Sequence, residues 1–190
     1  CSRGSITYMN GLASLLVSRE DRDATMLVMP ADHIIRPAEK FQAAIRAAAH
    51  LVEQSPGRIV TFGIKPTYPA EVFGYIHRGK PIESSERPGS GTTRLAGLAA
   101  PAFVVNSFKE KPLAKPLENL ASGEYYWNSG IFVWRADTIL DALRKHQPEM
   151  LGHLEAIVAA WDTPERDAVF DREFTAIKGI SIDYSVMEHA

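Results

Sequence analysis

The sequence predicts an α/β fold, and three observations predict it. Short apolar runs alternate with stretches of helical periodicity. Residues 25–30 (TMLVMP) form a compact apolar run closed by proline, the pattern of a buried parallel strand. A helical stripe and a second apolar run follow directly. Together they compose a βαβ unit, which is normally right-handed.

The elements read in order as follows. After the 25–30 strand come Ala31-Asp32-His33 at its carboxyl end. Pro37 suits a first helical turn, where its missing N–H costs nothing. Phe41, Ala44, Ile45, Ala48, Leu51 and Val52 then repeat at helical spacing, with Glu39, Gln42, Arg46 and Glu53 on the other face, until Pro56-Gly57 stops the helix. Residues 58–64 (RIVTFGI) read as the next strand and 65–69 as a proline-bracketed loop. Strands are expected over 73–77 and 103–109, separated by a Gly-, Ser- and Pro-rich stretch without clear period. A short helix over 115–121 ends near Gly123, and 130–134 (GIFVW) is a strand. Asp137 can cap a helix facing Ile139, Leu140, Ala142 and Leu143 inward. Pro148 opens another, with Met150, Leu151, Leu154, Ile157, Val158 and Trp161 in one core stripe. Further helices are expected from Thr163 and over 181–189.

The chain has 190 residues, enough for one domain with a sizeable core, and 45% of them are hydrophobic. Lys and Arg number 21 against 23 Asp and Glu, a net charge of −2, which argues against broad nucleic-acid binding. No apolar run approaches transmembrane length. The one cysteine, Cys1, excludes an internal disulfide and suits a reducing cytoplasm. The first residue is not methionine, and the last residues read as mid-helix, so the sequence is expected to be a piece of something longer.

Three places could carry chemistry. Asp32 follows a strand, where open α/β sheets gather ligands, and its carboxylate could hold a hard cation such as Mg2+; it could equally make a turn. Glu110-Lys111-Pro112 follows another strand: the lysine suits a phosphate and the glutamate sugar hydroxyls, or the two form a solvated charge pair. Asn128-Ser129-Gly130 follows three aromatic residues; the amide reads polyhydroxylated ligands well and glycine permits close approach, or the three make a tight turn. The 89–94 stretch (GSGTTR) lacks the strand-loop-helix setting of a phosphate loop. His146 and His153 are separated by Pro148, no zinc spacing or serine-hydrolase elbow appears, and Asp183 reads as a helix N-terminal residue.

The order of the pieces is more specific than any one of them. VMPADH at 28–33, TFGIKPT at 61–67, FGYI at 73–76, FKEKP at 108–112, WNSGIF at 127–132 and SIDYSVME at 181–188 succeed one another. This series resembles the mannose-1-phosphate guanylyltransferases, within the wider sugar-nucleotidyltransferase family, from about Ala24 to the end of the chain. The resemblance implies a Rossmann-like nucleotide-binding α/β domain spanning 1–190, with a mostly parallel central sheet and helices on both faces. It implies transfer of GMP from GTP to mannose 1-phosphate, giving GDP-mannose and pyrophosphate. By matched position, Asp32 is a Mg2+ ligand and Gly74 offers its backbone to the sugar. Glu110 and Asn128 hold sugar hydroxyls, and Lys111 takes the sugar phosphate as the catalytic cation.

The family's glycine-rich phosphate loop has no counterpart in the chain, nor does its second metal ligand beyond the SIDY segment, and Val72 stands where many members have glycine. Two rival readings are a regulatory homologue that binds a sugar nucleotide without turning it over, and a transferase for another sugar 1-phosphate. An oxidoreductase of the dinucleotide-binding type lacks its G-x-G-x-x-G. A homodimer is compatible with the resemblance; nucleic-acid and membrane partners are not expected.

Overall fold

In the computed structural model of the chain, the structure describes residues 5–70, 73–82, 101–109 and 122–177. Two compact units are present: Cys1–Met26, Pro56–Ile59 and Trp134–Ala190 make one, and Leu27–Ser55 with Val60–Val133 the other.

The second unit holds the sheet. Its strands are β1 (Thr25–Val28), β2 (Val60–Ile64), β3 (Tyr75–Pro81), β4 (Phe103–Lys109) and β5 (Tyr125–Arg135), with β1 and β5 running on into the first unit. The order is β1-β5-β3-β4, and β2 also pairs with β5. The expected mostly parallel sheet is corrected here. β2 with β5, β3 with β4 and β3 with β5 are all antiparallel. The reason is that β2 enters the sheet through β5 and not beside β1. The βαβ pattern read from neighbouring segments could not show a partner strand some 60 residues further along the chain.

β5 is longer than the expected 130–134 because the aromatic run at 125–127 favours a pleated surface. Trp127 pairs with Ile64 on one edge and with Tyr75 on the other. Between these pairs and the buried stretch Ile131, Phe132, Val133 and Trp134 the register shifts: β2 goes from Thr61 to Gly63 while β5 goes from Phe132 to Asn128. The extra residues form a bulge. β1 is half-exposed rather than buried, with Leu27 and the following Met29 open to solvent.

Helix α2 (Ala38–Gln54) covers one face of the sheet. Ala48 and Val52 pack on Val133 together with Val60 and Phe62. Because side chains alternate along a strand, Thr61 turns to the opposite face.

The first unit is helical. It contains α1 (Ser5–Glu20), α3 (Ala136–His146), α4 (Pro148–Ala159) and α5 (Arg166–Ala176). Ile139, Leu140 and Leu143 of α3 and Met150, Leu151, Leu154 and Ile157 of α4 are buried as their stripes predict. Asp137 does not cap α3; Arg135 is the N-cap, and its guanidinium donates to Asp137 at 2.8 and 3.1 Å and to Asp23. The Asp137 bond foremost raises the Arg135 pKa, so the pair stays charged. No sequence pattern predicts α1. Its buried residues include Thr7, Asn10 and Ser14, so no apolar stripe marks it. Gly11 explains the close packing there: a Cβ would lie 2.7 Å from Leu154 Cδ1 and 2.9 Å from Leu143 Cδ1. The helices expected over 115–121 and 181–189 lie outside the described residues.

α4 and α5 are joined by a polar clamp. His153 Nδ1 lies 2.7 Å from Glu173 Oε2, and Arg172 Nε donates to Glu173 Oε1 at 2.8 Å. The His153 bond and then Arg172 hold the Glu173 carboxyl below the usual carboxylate range. A lowered folded-state pKa contributes stability that is present above the unfolded value, about 4.3, and is lost as pH falls through the lowered one. Glu173→Gln should therefore flatten the acid limb of a denaturation-against-pH profile; an unchanged limb would show that the clamp carries no linkage.

Candidate functional site

Asn128 is set by strand and bulge together. Its backbone N–H donates to the Gly74 carbonyl at 2.8 Å, which seats the FGYI segment beside the WNSG segment. Its side-chain Oδ1 accepts from the Gly130 N–H at 3.3 Å and lies 2.9 Å from Thr61 Oγ1. The Gly130 N–H can only donate, so the atom that it faces must be the oxygen, and this fixes the amide orientation. The one hydroxyl proton of Thr61 is shared between Asn128 Oδ1 and the Ile131 carbonyl at 3.0 Å. Both donors of Asn128 Nδ2 are left without a partner among the described residues. The result is a pre-oriented amide presenting N–H groups on the sheet face away from α2.

Gly130 needs its glycine. Its φ of +72° is the left-handed conformation, while the place of a Cβ is only in ordinary contact with Pro30 Cγ at 3.6 Å. Gly130→Ala should cost about 1–2 kcal/mol in chemical denaturation from backbone strain alone. A neutral substitution would mean that the bulge relaxes. The same contact sets Pro30, two residues before Asp32, against the Asn128-Ser129-Gly130 bulge. Asp32 itself lies exposed in the turn after β1, with no hydrogen-bond or ion-pair partner among the described residues.

Gly74 keeps its backbone N–H free of backbone partners among the described residues. On the far side of the sheet, Trp127 packs against Tyr68 and Phe73 at ring-centroid distances of 4.9 and 5.0 Å. Tyr75 Oη donates to the Ala70 carbonyl at 2.8 Å and ties the 65–70 loop back. These contacts buttress the backbone on which Gly74 and Asn128 sit.

The structure thus brings Gly74 and Asn128 into direct contact and places the Asp32 turn beside the same bulge. Glu110 and Lys111 lie outside the described residues; Lys109, just before them, pairs with Tyr75 next to Gly74. Thr61, which the sequence does not single out, joins the candidate site through its bond to Asn128. Its role depends on a partner 67 positions away, which no local spacing signals. Among the described residues no group of three or more His, Cys, Asp or Glu could hold a metal ion. A lone exposed carboxylate still fits Mg2+, which is commonly bound through one or two carboxylates plus substrate phosphates.

The family model described as "Nucleotidyl transferase" matches residues 11–172, most of the chain. The chain belongs to the nucleotidyl transferase family. Among the relatives of this nucleotidyltransferase chain is the xanthan biosynthesis protein XanB of Xanthomonas campestris pv. campestris. It is 43% identical over 182 residues, covering 93% of this chain and 34% of that protein. The mannose-1-phosphate guanylyltransferase of Escherichia coli K12 is 39% identical over 181 residues, with 93% and 35% covered. The nucleotidyltransferase chain therefore spans about a third of the length of these curated relatives. Among solved structures, a Helicobacter pylori protein described as mannose-6-phosphate isomerase superposes with TM-score 0.70 at 27% identity, over 95% of this chain and 62% of that one. A Thermus thermophilus protein described as mannose-1-phosphate geranyltransferase gives TM-score 0.70 at 28% identity, over 99% and 47%. No helix among the described residues is long and apolar enough to cross a membrane.

Proposed function

We propose that the protein to which this chain belongs joins GTP and mannose 1-phosphate into GDP-mannose and pyrophosphate, in the cytoplasm. The observation that carries the reading is the Asn128 amide, locked by Thr61 and Gly130 and hydrogen-bonded through its backbone to Gly74. Donors fixed in this way suit the hydroxyls of a sugar. Relatives named mannose-1-phosphate guanylyltransferase support the choice of sugar and base.

In this mechanism Asn128 Nδ2 and the Gly74 N–H hold the sugar, with Glu110 on further hydroxyls. Lys111 neutralises the sugar phosphate. An oxygen of that phosphate, already ionised, attacks the α-phosphorus of GTP in line, and pyrophosphate leaves with the bonding electrons. No protein nucleophile or general base is required, so positioning and charge neutralisation provide the acceleration. Asp32 would hold Mg2+, which would offset the repulsion between the two anions when bound.

The test is pyrophosphate release by the natural full-length protein, offered GTP or another nucleoside triphosphate with mannose 1-phosphate or another sugar 1-phosphate. Preference for GTP with mannose 1-phosphate is expected. A protein inert with every pair overturns the reading in favour of a binding homologue, and preference for another pair moves the specificity.

A further inference from the structure

Arg78 is a half-buried cation on the sheet face away from α2, and the mechanism has so far given it no use. Its backbone N–H donates to the Glu124 carbonyl at 2.8 Å, which holds the residue to the strand beside β5. Its guanidinium lies over the Phe103 ring at 4.8 Å and the Tyr126 ring at 5.9 Å, both within cation–π range. Nη1 also lies 3.4 Å from Tyr126 Oη, a long and weak hydrogen bond. The side chain is half-buried, yet no carboxylate among the described residues pairs with it.

Tyr126 and Asn128 are two positions apart on β5, so their side chains share a face. That face also carries Thr61 and lies away from α2. Arg78 therefore stands on the same side of the sheet as the locked amide. It is four residues along β3 from Gly74, about 13 Å at strand rise. An extended phosphorylated ligand held at Gly74 and Asn128 and lying along β3 reaches it. A planar guanidinium braced by two rings and with no carboxylate partner among the described residues has donors to offer an incoming anion, and its fork matches two phosphate oxygens.

We propose that Arg78 is a phosphate-binding residue of this face, positioned by Phe103 and Tyr126. The proposal rests on the substrate site inferred above and concerns a residue outside the sequence motifs. The phosphoryl group could belong to the sugar 1-phosphate or to the nucleoside triphosphate, and the assay separates them.

The experiment compares Arg78→Gln and Arg78→Lys with the wild type in the natural full-length protein. It reads KM for each substrate, kcat, melting temperature, and binding of inorganic pyrophosphate by calorimetry. Loss of a charge-assisted contact should raise KM for one phosphorylated substrate about tenfold to a hundredfold with little change in kcat, and the lysine variant should recover part of the loss. The substrate whose KM rises identifies the phosphate. Unchanged KM values and unchanged pyrophosphate binding, with only a lower melting temperature, overturn the proposal and leave Arg78 as a clamp between strands. If the wild type is inert with every substrate pair but binds pyrophosphate in an Arg78-dependent way, the phosphate site stands and the guanylyltransferase reading falls.

Discussion

Asp32→Asn in the natural full-length protein is expected to lower kcat/KM about a hundredfold to a thousandfold, while leaving the melting temperature where it is. The two halves of this expectation come from different observations. Asp32 is exposed and its side chain makes no hydrogen bond or ion pair among the described residues, so the fold loses no polar contact when its charge goes. A cation that draws together two phosphorylated substrates is worth several kcal/mol of transition-state stabilisation, and a neutral amide holds it poorly. Raising the Mg2+ concentration should restore part of the lost rate if the carboxylate acts by holding the ion. Full activity in the variant would return Asp32 to the status of a turn residue.

Leu154→Ala carries the largest expected effect on stability. Leu154 is fully buried on α4, and its Cδ1 comes within 2.7 Å of where a Cβ on Gly11 would stand. Truncation therefore opens a void against Gly11, which has no side chain to fill it. A loss of about 2–5 kcal/mol is expected, toward the upper end because Gly11 offers no side chain to the cavity. Denaturant unfolding measures it. Adding Gly11→Ala to the same protein should recover part of the loss, because the new methyl enters the space that Leu154 leaves. A loss below about 1 kcal/mol would show that the helices collapse onto the cavity.

Much of this was legible in the sequence for physical reasons that can be named. The apolar stripes of α3 and α4 faced inward as their spacing required, because a helix buried on one side must repeat its contacts every three to four residues. Asp32 stands out as a candidate through its place after a strand, and Gly74 and Asn128 through the order of motifs; the structure adds the hydrogen bond that joins the last two. Three things were hidden. α1 buries Thr7, Asn10 and Ser14, so it shows no contrast between faces. The antiparallel sheet follows from a partner strand far along the chain, to which local patterns are blind. The Thr61 and Arg78 contacts become visible only when β2, β3 and β5 are aligned, because each is made to a residue on another strand.

The position of β5 also bears on how the chain is made. β1 and β2 both pair with β5, which begins only at Tyr125. On a ribosome working at roughly 5–20 residues per second, the β1 edge waits about 5–20 seconds for that partner. During that time Leu27 and Met29 are exposed beside unpaired backbone amides. The sheet closes late and through long loops, the circumstance in which nascent chains depend most on chaperones.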